Sequence, residues 1–393
     1  MEPHNHNFLT SLKALPRAAW FIFVGTFINR CGMLVVPFLT LYLTRHGYTI
    51  ADAATALVAY GVGHLFATLI GGHLADSIGR KHTIVISMFT TAVAMCFLPH
   101  AQTLNEIIIL TFLTGLTGEI YRPAVNALIA DIVPVEHRIT AYAANRTALN
   151  AGWAFGPAMA GLLAKYSWSF LFYADAATSL IYGIIALYAL PHGNRSSKTT
   201  KAWHGIWKEA FTNTAFLLFA AANLLVAICF NQLNSTFSLL VTDRGFDLWI
   251  YGLLNSLNGL LVVCVELPLT SITRRFHPRK VIALGYSLCG VGLMLAMWAQ
   301  TVAGLITVIV VFTLGEIIAM PMCAAHLATI APEKYRGRYM GMFGLTWATA
   351  LLIGPAAGLN LYAALPNLWW LICGGCGILA GALMLIQLTG RAE

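Results

Sequence analysis

The sequence predicts an all-α membrane protein with twelve transmembrane helices in two pseudo-symmetric six-helix halves. Hydrophobic residues make up 59 % of the 393 residues and charged residues only 10 %, whereas ordinary soluble domains carry about 25 % charged residues. Stretches of about 18 or more mostly apolar residues, long enough to cross a hydrocarbon core about 30 Å thick, recur along the chain. The third observation is an internal repeat: Ala130–Arg138 recurs 198 positions later as Ala328–Arg336, and Gly156–Pro157 recurs as Gly354–Pro355.

Each apolar stretch is interpreted as one transmembrane span, numbered 1 to 12 in chain order. The first stretch is too long for a signal peptide and contains Arg30, so we expect it to remain in the mature protein. The predicted spans cover roughly residues 18–43, 52–75, 82–99, 105–130, 139–163, 168–190, 212–241, 248–272, 280–299, 302–330, 337–363 and 367–388.

The repeat predicts the domain organisation. A chain that repeats its hydropathy, loops and helix-breaking residues over half its length consists of two copies of one unit. The segment 191–211 is rich in Pro, Gly, Ser and Lys, which interrupt both helix and hydropathy. We therefore predict an N-terminal six-helix half at 1–190, a cytoplasmic linker at 191–211 and a C-terminal half at 212–393. Such halves usually enclose a shared pathway, so the repeat indicates transport.

The basic residues predict the orientation of the chain in the membrane. Most of the 23 lysines and arginines fall in the termini and the even-numbered connections, and only Arg45, Lys165 and Arg244 fall in the odd-numbered ones. By the positive-inside rule, both termini are cytoplasmic and the protein is a multi-pass protein of the plasma membrane, which is the inner membrane of a bacterium. The net charge of +8 follows mostly from this topology, so nucleic acid is not an expected partner.

The short loop between spans 2 and 3 carries the sharpest motif. Residues 72–81 read GHLADSIGRK, which resembles the loop signature of the major facilitator superfamily. We expect Gly72 to let two helices approach closely. The resemblance implies that Asp76 caps the start of span 11 and that Arg80 pairs with an acid at the end of span 4, here Asp131. We interpret this loop as a gate; the alternative is a tight turn with positive charge on the inside.

Span 5 carries a second motif, which resembles the one that marks the antiporter branch of this superfamily. Gly152 and Gly156 put a stripe without side chains on one face of the helix, and Pro157 bends it. We assign these three residues to gating. The drug/proton antiporters commonly carry an arginine near the start of span 4; that position is Thr111 here, and the span offers Arg122 instead.

Ionisable residues within the spans are the best candidates for function, because each costs about 2.5 to 3.5 kcal/mol at the centre of a helix. Glu119, Arg122 and Asn126 are spaced to share one face of span 4. A structural pair is the alternative for Glu119 and Arg122. The other ionisable residues are Arg30, Arg146, Asp175, Glu266 and Glu316, of which Asp175 and Glu266 are interpreted as structural because they lie near helix ends.

The family resemblance implies a central cavity lined by spans 1, 4, 7 and 10. Asn29 and Arg30 of span 1 and Glu316 of span 10 are expected to face it. Amides in spans 7 and 8 predict a polar wall of the same cavity, although amides also connect helices to one another. The predicted cavity residues are Asn29, Arg30, Arg122, Asn126, Asn231, Asn234 and Asn258.

These features together predict a secondary active transporter that exports a small amphipathic organic molecule or drug in exchange for protons. Glu119 is the expected proton carrier and Glu316 the reserve. The expected partners are the solute, protons and the lipid bilayer; the protein is predicted to act as a monomer without a cofactor and to be driven by the proton gradient.

Two alternatives remain open. One is import or facilitated diffusion of a sugar, peptide, siderophore or metal chelate. The other is a membrane-embedded enzyme or sensor, which the sequence disfavours because it contains no nucleotide-binding loop, zinc-protease motif or nucleophile elbow.

Overall fold

The computed structural model describes residues 12–134, 137–193, 211–332 and 336–386, and all regular secondary structure within these ranges is helical. A short 3₁₀ helix, Leu98–His100, follows α4. The α-helices are α1 Arg17–Cys31, α2 Val35–Arg45, α3 Ile50–Ser77, α4 Arg80–Phe97, α5 Leu104–Glu119, α6 Tyr121–Ile132, α7 Arg138–Tyr166, α8 Ser169–Ala189, α9 Thr214–Gln232, α10 Thr236–Asp243, α11 Leu248–Thr273, α12 Pro278–Leu295, α13 Val302–Ile330, α14 Arg336–Ala364 and α15 Leu368–Leu385.

Helices lie at all twelve predicted span positions, so the fold class is confirmed. Within the described ranges, nine segments are both long enough and apolar enough to cross a membrane. The helices at spans 4, 5 and 9 fall outside this set.

Three spans that the sequence predicted as single stretches are interrupted helices. Span 1 consists of α1 and α2, span 4 of α5 and α6, and span 7 of α9 and α10. A proline, which has no amide hydrogen to bond the carbonyl four residues earlier, lies shortly after two of the breaks. Proline alone does not set them, because Pro321 lies inside an uninterrupted helix. Pro37 leaves the carbonyl of Met33 without this partner, and Pro123 does the same for Glu119.

The internal repeat is visible in how the spans pack. In the first copy, span 1 packs against spans 5 and 6, and span 3 against spans 4 and 6. In the second copy, span 7 packs against spans 11 and 12, and span 9 against spans 10 and 12. Each pair recurs six spans later, as two copies of one unit require.

The chain divides into two compact units. The first comprises residues 1–36 and 59–198, and the second comprises residues 37–58 and 199–393. The second half of span 1 and the start of span 2 thus cluster with the second unit, which differs from the predicted division at 190 and 212. Most of the predicted linker, at 194–210, lies outside the described residues.

Candidate functional site

A buried group of charges in the first unit joins spans 1 and 4. The guanidinium of Arg30 lies 3.1 Å from Oε1 of Glu119 and 3.4 Å from Oε2. Nε of Arg122 lies 2.8 Å from the same Oε2. The side chains of Arg30 and Glu119 are 6 % and 5 % exposed, whereas that of Arg122 is 47 % exposed. We call Arg30, Glu119 and Arg122 the charge triad.

The break in span 4 positions two members of the triad. Glu119 is the last residue of α5 and Arg122 lies in the first turn of α6, with Ile120 between the helices. Arg122 remains three positions after Glu119, so both side chains still reach one another. The predicted pairing of Glu119 with Arg122 is therefore present, and Glu119 also binds a second arginine from another span.

Span 5 positions Arg30. A Cβ built at Gly152 would lie 2.5 Å from Cβ of Arg30, and one built at Gly156 would lie 3.0 Å from the carbonyl oxygen of Cys31. The glycine stripe thus lets α7 pack directly on the backbone of α1, which is the close approach that the sequence predicted. Arg30 also donates to Sδ of Met33 at 2.6 Å, and its guanidinium carbon lies 5.8 Å from the ring centre of Tyr121.

Span 2 completes the surroundings of the triad. Tyr60, which is buried, and His64 both interact electrostatically with Glu119, Arg30 and Arg122. Nδ1 of His64 is buried and has no hydrogen-bond partner within the described part of the chain. The backbone of α3 lies close to that of α5 here, since a Cβ at Gly115 would lie 3.0 Å from the carbonyl carbon of Tyr60.

Protonation of Glu119 would change which groups of the charge triad are paired. While Glu119 is ionised, two arginines and one carboxylate carry a net charge of about +1, and protonation of Glu119 raises this to about +2. A buried charge must be paired, so a proton on Glu119 leaves a guanidinium that an acidic group of a solute can bind. Arg122, which is partly exposed, is the arginine that a solute reaches most directly.

The predicted cavity residues in the first unit do not all join the triad. Asn29 donates to Oγ of Ser179 at 3.2 Å, so it connects α1 to α8. The side chain of Asn126 is exposed, and its backbone carbonyl accepts from Tyr142 at 3.0 Å. Asn126 lies four positions after Arg122 within α6, and both residues are exposed, so Asn126 shares the face of Arg122 and not the buried contacts of Glu119.

Asp175 lies six residues into α8 and is 4 % exposed, and its Oδ2 is buried with no hydrogen-bond partner among the described residues. Its carboxylate interacts electrostatically with Arg30 and with the backbone at Leu34 and Val35, at the break in span 1. Its interpretation as a structural residue stays a prediction.

The second unit has a smaller polar group around Glu316. Nδ2 of Asn258 donates to Oε2 of Glu316 and to Oγ1 of Thr313, both at 2.9 Å. Two of the predicted cavity residues thus lie together. Asn231 instead donates to the carbonyl of Ala227 within its own helix at 2.8 Å, and Oδ1 of Asn234 is buried with no partner among the described residues.

The predicted gate loop forms an ion-pair network within the first unit. Nε of Arg80 lies 3.2 Å from Oδ2 of Asp131, the acid that the resemblance implied, and Nη2 lies 3.3 Å from Oδ1 of Asp76. Arg80 also donates to the carbonyl of Ala75 at 3.1 Å. The contact of Asp76 with span 11 would join the two units and stays a prediction.

One physical reason given for the loop motif was wrong. A Cβ built at Gly72 would meet nothing within 4 Å among the described residues, so Gly72 does not bring two helices together there. The preceding glycine does, because a Cβ at Gly71 would lie 2.8 Å from the carbonyl oxygen of Ile120. Gly193, which sequence reasoning also missed, has a φ of +70° and lies against Oδ2 of Asp131.

An interrupted-helix bundle with a repeated packing pattern and a buried charge triad defines a multi-pass membrane transporter. The chain belongs to the Major Facilitator Superfamily, whose family model matches residues 22–355 and 250–392.

Curated relatives agree with this assignment. The MFS-type transporter YqjV of Bacillus subtilis is 26 % identical over 88 % of this chain and 86 % of its own length. A Na⁺, Li⁺, K⁺/H⁺ antiporter of Planococcus maritimus is 25 % identical over 84 % of this chain and 85 % of its own. The quinolone resistance protein NorA of Staphylococcus aureus is 24 % identical over 54 % of this chain and 55 % of its own.

Solved structures share the fold. A peptide transporter POT in complex with sulfate matches with a TM-score of 0.79 at 14 % identity, over 96 % of this chain and 97 % of that one. A D-xylose-proton symporter matches with a TM-score of 0.76 at 15 % identity, over 96 % and 98 %.

Proposed function

We propose that this chain is a proton-coupled exporter of a small amphipathic organic molecule. The observation that carries the proposal is the Glu119 carboxylate, which is buried and divides its oxygens between Arg30 and Arg122. A proton that binds Glu119 weakens both ion pairs. A solute with a basic group that binds the ionised Glu119 carboxylate competes with the proton for it, and this competition couples the loading of solute to the release of a proton.

The charge of the triad narrows the class of solute. Two arginines beside one carboxylate repel a bare cation and attract an acidic group, because charges of this kind interact strongly where water is excluded. Guanidinium groups bind carboxylates and phosphates through two parallel hydrogen bonds, in bidentate geometry. The proposed solute is therefore zwitterionic, with an acidic group for a guanidinium, a basic group that competes with the proton for Glu119, and an apolar part that can bind within the helix bundle.

The proposed direction of transport is export, and it is supported by the name of one relative. NorA is named a quinolone resistance protein, which supports export of an organic molecule, and this relative matches about half of the chain. The peptide transporter and the xylose symporter are similar in fold alone, so they do not bear on substrate. Import of a sugar, peptide, siderophore or metal chelate is an outcome that the experiment below distinguishes.

A second candidate is exchange of a monovalent cation for protons. It is favoured by the Planococcus maritimus antiporter, whose match covers 84 % of this chain. The net positive charge of the triad opposes it, because an alkali cation at this place would face two guanidinium groups. The two candidates differ in whether Na⁺, Li⁺ or K⁺ alone discharges a proton gradient.

Everted membrane vesicles with an acid interior and a pH-sensitive dye separate the candidates. Export of organic solutes predicts that one or more amphipathic zwitterions collapse the gradient, whereas chlorides of Na⁺, Li⁺ and K⁺ do not. Collapse by an alkali cation alone, without any organic solute, would establish the second candidate. Uptake of labelled solute into right-side-out vesicles, driven by an inward proton gradient, would establish import.

Glu106→Gln is the matched control for Glu119→Gln in the same helix. Glu106 lies in an exposed capping box with Thr103 at the start of α5, and glutamine preserves that motif. Glu106→Gln should transport as the wild type does. A loss of proton coupling in both variants would mean that the charge triad is not the cause.

A further inference from the structure

The segment between spans 8 and 9 is the second copy of the gate loop, and it has lost the acidic residue of the first. Residues 271–280 read SITRRFHPRK and align with residues 72–81, GHLADSIGRK, at an offset of 199. Arg275 stands at the position of Asp76, and Arg279 stands at that of Arg80. The second copy, which we call the 8–9 loop, therefore carries four basic residues and no acidic residue with which to pair them.

One of the four basic residues binds the end of another helix. Nε of Arg279 donates to the carbonyl of Met384 at 3.1 Å, and its Nη2 donates to the carbonyl of Ile386. These carbonyls lie at the end of α15, where the last carbonyls of a helix have no partner within the helix itself. Arg279 thus caps span 12 and fixes the start of α12, and with it the 8–9 loop, at that place.

The other three basic residues are Arg274, Arg275 and Lys280, and they are exposed. None of them forms a salt bridge with an acidic residue in the described part of the chain. The turn between the helices is closed by a hydrogen bond from the amide of Phe276 to the carbonyl of Thr273 at 3.0 Å. Three like charges are therefore held close together in sequence on a fixed turn, which favours an anionic partner.

Apolar side chains accompany these charges. Ile272 in the last turn of α11 is 53 % exposed, and Phe276 in the turn itself is 62 % exposed. The 8–9 loop joins two neighbouring spans, so it lies at a membrane surface, at the level of the phospholipid headgroups. Basic residues next to exposed apolar ones are typical of segments that bind this interface. The positive-inside rule explains the charges alone and does not require a phenylalanine among them.

We propose that the 8–9 loop binds the headgroup of an anionic phospholipid. Its exposed basic side chains contact the phosphate, because guanidinium groups bind phosphate in bidentate geometry and an ammonium group binds it as a point charge. Phe276 contacts the adjoining glycerol and acyl region. A zwitterionic headgroup binds less well, since its own cation is repelled by the loop. The bound lipid stabilises the ends of spans 8 and 9 and, through Arg279, that of span 12. The proposal does not depend on what the protein transports.

Lipid binding to the full-length protein tests the proposal. Native mass spectrometry in a neutral detergent gives the affinity for the first bound phosphatidylglycerol and for phosphatidylcholine with the same acyl chains. The wild type should prefer phosphatidylglycerol. Each of Arg274→Gln, Arg275→Gln and Lys280→Gln should weaken that binding about fivefold, and the triple variant about a hundredfold, because each basic side chain contributes separately at a membrane surface. Equal affinities of the wild type for both lipids would overturn the proposal.

Lys81→Gln is the matched control, since Lys81 stands in the first copy where Lys280 stands in the second. It removes the same charge from the protein and should leave the affinity for phosphatidylglycerol unchanged. Arg275→Lys keeps the charge in the 8–9 loop and should retain most of the affinity. A loss in Lys81→Gln as large as that in Lys280→Gln would mean that binding follows the total charge, and the assignment to this loop would be wrong.

Phe276→Ser distinguishes a lipid from a soluble anion with the same phosphate chemistry. It keeps every charge of the 8–9 loop, so it should weaken the binding of phosphatidylglycerol while binding of inorganic phosphate stays as in the wild type. Excess inorganic phosphate should not displace the lipid from the wild type. Displacement by inorganic phosphate, together with wild-type lipid affinity in Phe276→Ser, would assign the loop to a soluble anion and overturn the assignment to a phospholipid.

Discussion

Gly152 leaves no room for a side chain beside Arg30, because a Cβ at position 152 would lie 2.5 Å from Cβ of Arg30. The glycine motif of span 5 and the charge triad are therefore structurally linked, because the glycine contact positions a residue of the triad. The glycine lets α7 press on α1 at the residue whose guanidinium holds Glu119. The counterpart of Gly156 in the second unit, Gly354, also packs closely on its partner span, since a Cβ there would lie 3.0 Å from Cβ of Asn231.

Gly152→Ala should destabilise the protein and reduce transport. The added methyl group overpacks the α1–α7 contact, which typically costs about 1 to 3 kcal/mol, and it displaces Arg30 from Glu119. The measurement is thermal unfolding in detergent together with solute transport. Gly375→Ala is the control, since a Cβ there meets nothing within 4 Å among the described residues. Equal stability of the two variants would mean that the close approach is not present in solution.

Adjacent glycines of span 2 give a second matched pair. Gly71→Ala should lower stability, because the new Cβ would lie 2.8 Å from the backbone carbonyl of Ile120 at the break in span 4. Gly72→Ala should be tolerated in folding, since its Cβ has open space among the described residues and alanine favours a helix by up to about 1 kcal/mol. Unfolding temperatures of the two variants test this order, and a reversed order would contradict the packing described for span 2.

The gate loop should control transport without forming the solute site. Arg80→Ala breaks the ion pairs with Asp131 and Asp76, and Asp131→Asn breaks the more buried of the two. Both variants, and Asp76→Asn, should lose transport while they retain solute binding, because the balance between conformations changes and the triad does not. Binding is measured by the ligand-induced shift in melting temperature. Lys81→Ala, next to the same loop, should transport normally; wild-type flux in Arg80→Ala would remove the reason to call this loop a gate.

Much of the fold could be predicted because the length and apolar character of a membrane span are local properties. The breaks in spans 1 and 4 could not be predicted from Pro37 and Pro123 alone, because Pro157, Pro321 and Pro355 lie inside uninterrupted helices. Span 7 has no proline at its break, so its sequence gave no comparable signal. The surroundings of Asp175 could not be predicted, because they depend on how α8 packs against α1 beside the break in span 1.

Only the local contacts of the candidate site could be predicted, because helical spacing relates residues that are close in the sequence. Glu119 and Arg122 lie three positions apart, so helical spacing was enough to pair them. The ion pair between Arg30 and Glu119 joins residues 89 positions apart, and its geometry depends on the packing of α1 against α7. The position of Asn126 relative to Arg122 was also predictable, because the two residues lie four positions apart in one helix.

Glu119→Gln should lose transport driven by a pH gradient and keep exchange of solute for solute. Glutamine retains the shape and the acceptor oxygen that the arginines contact, but it carries no proton that can be released. Arg122→Ala should weaken both activities, with solute affinity about tenfold lower, because a hydrogen-bonded charge pair contributes about 1.5 to 3 kcal/mol. The measurement is proton release when solute is added to detergent-solubilised protein, with Glu106→Gln as the control. Undiminished release from Glu119→Gln would move the proton site elsewhere, and Glu316, which Asn258 holds at 2.9 Å, is then the residue to replace.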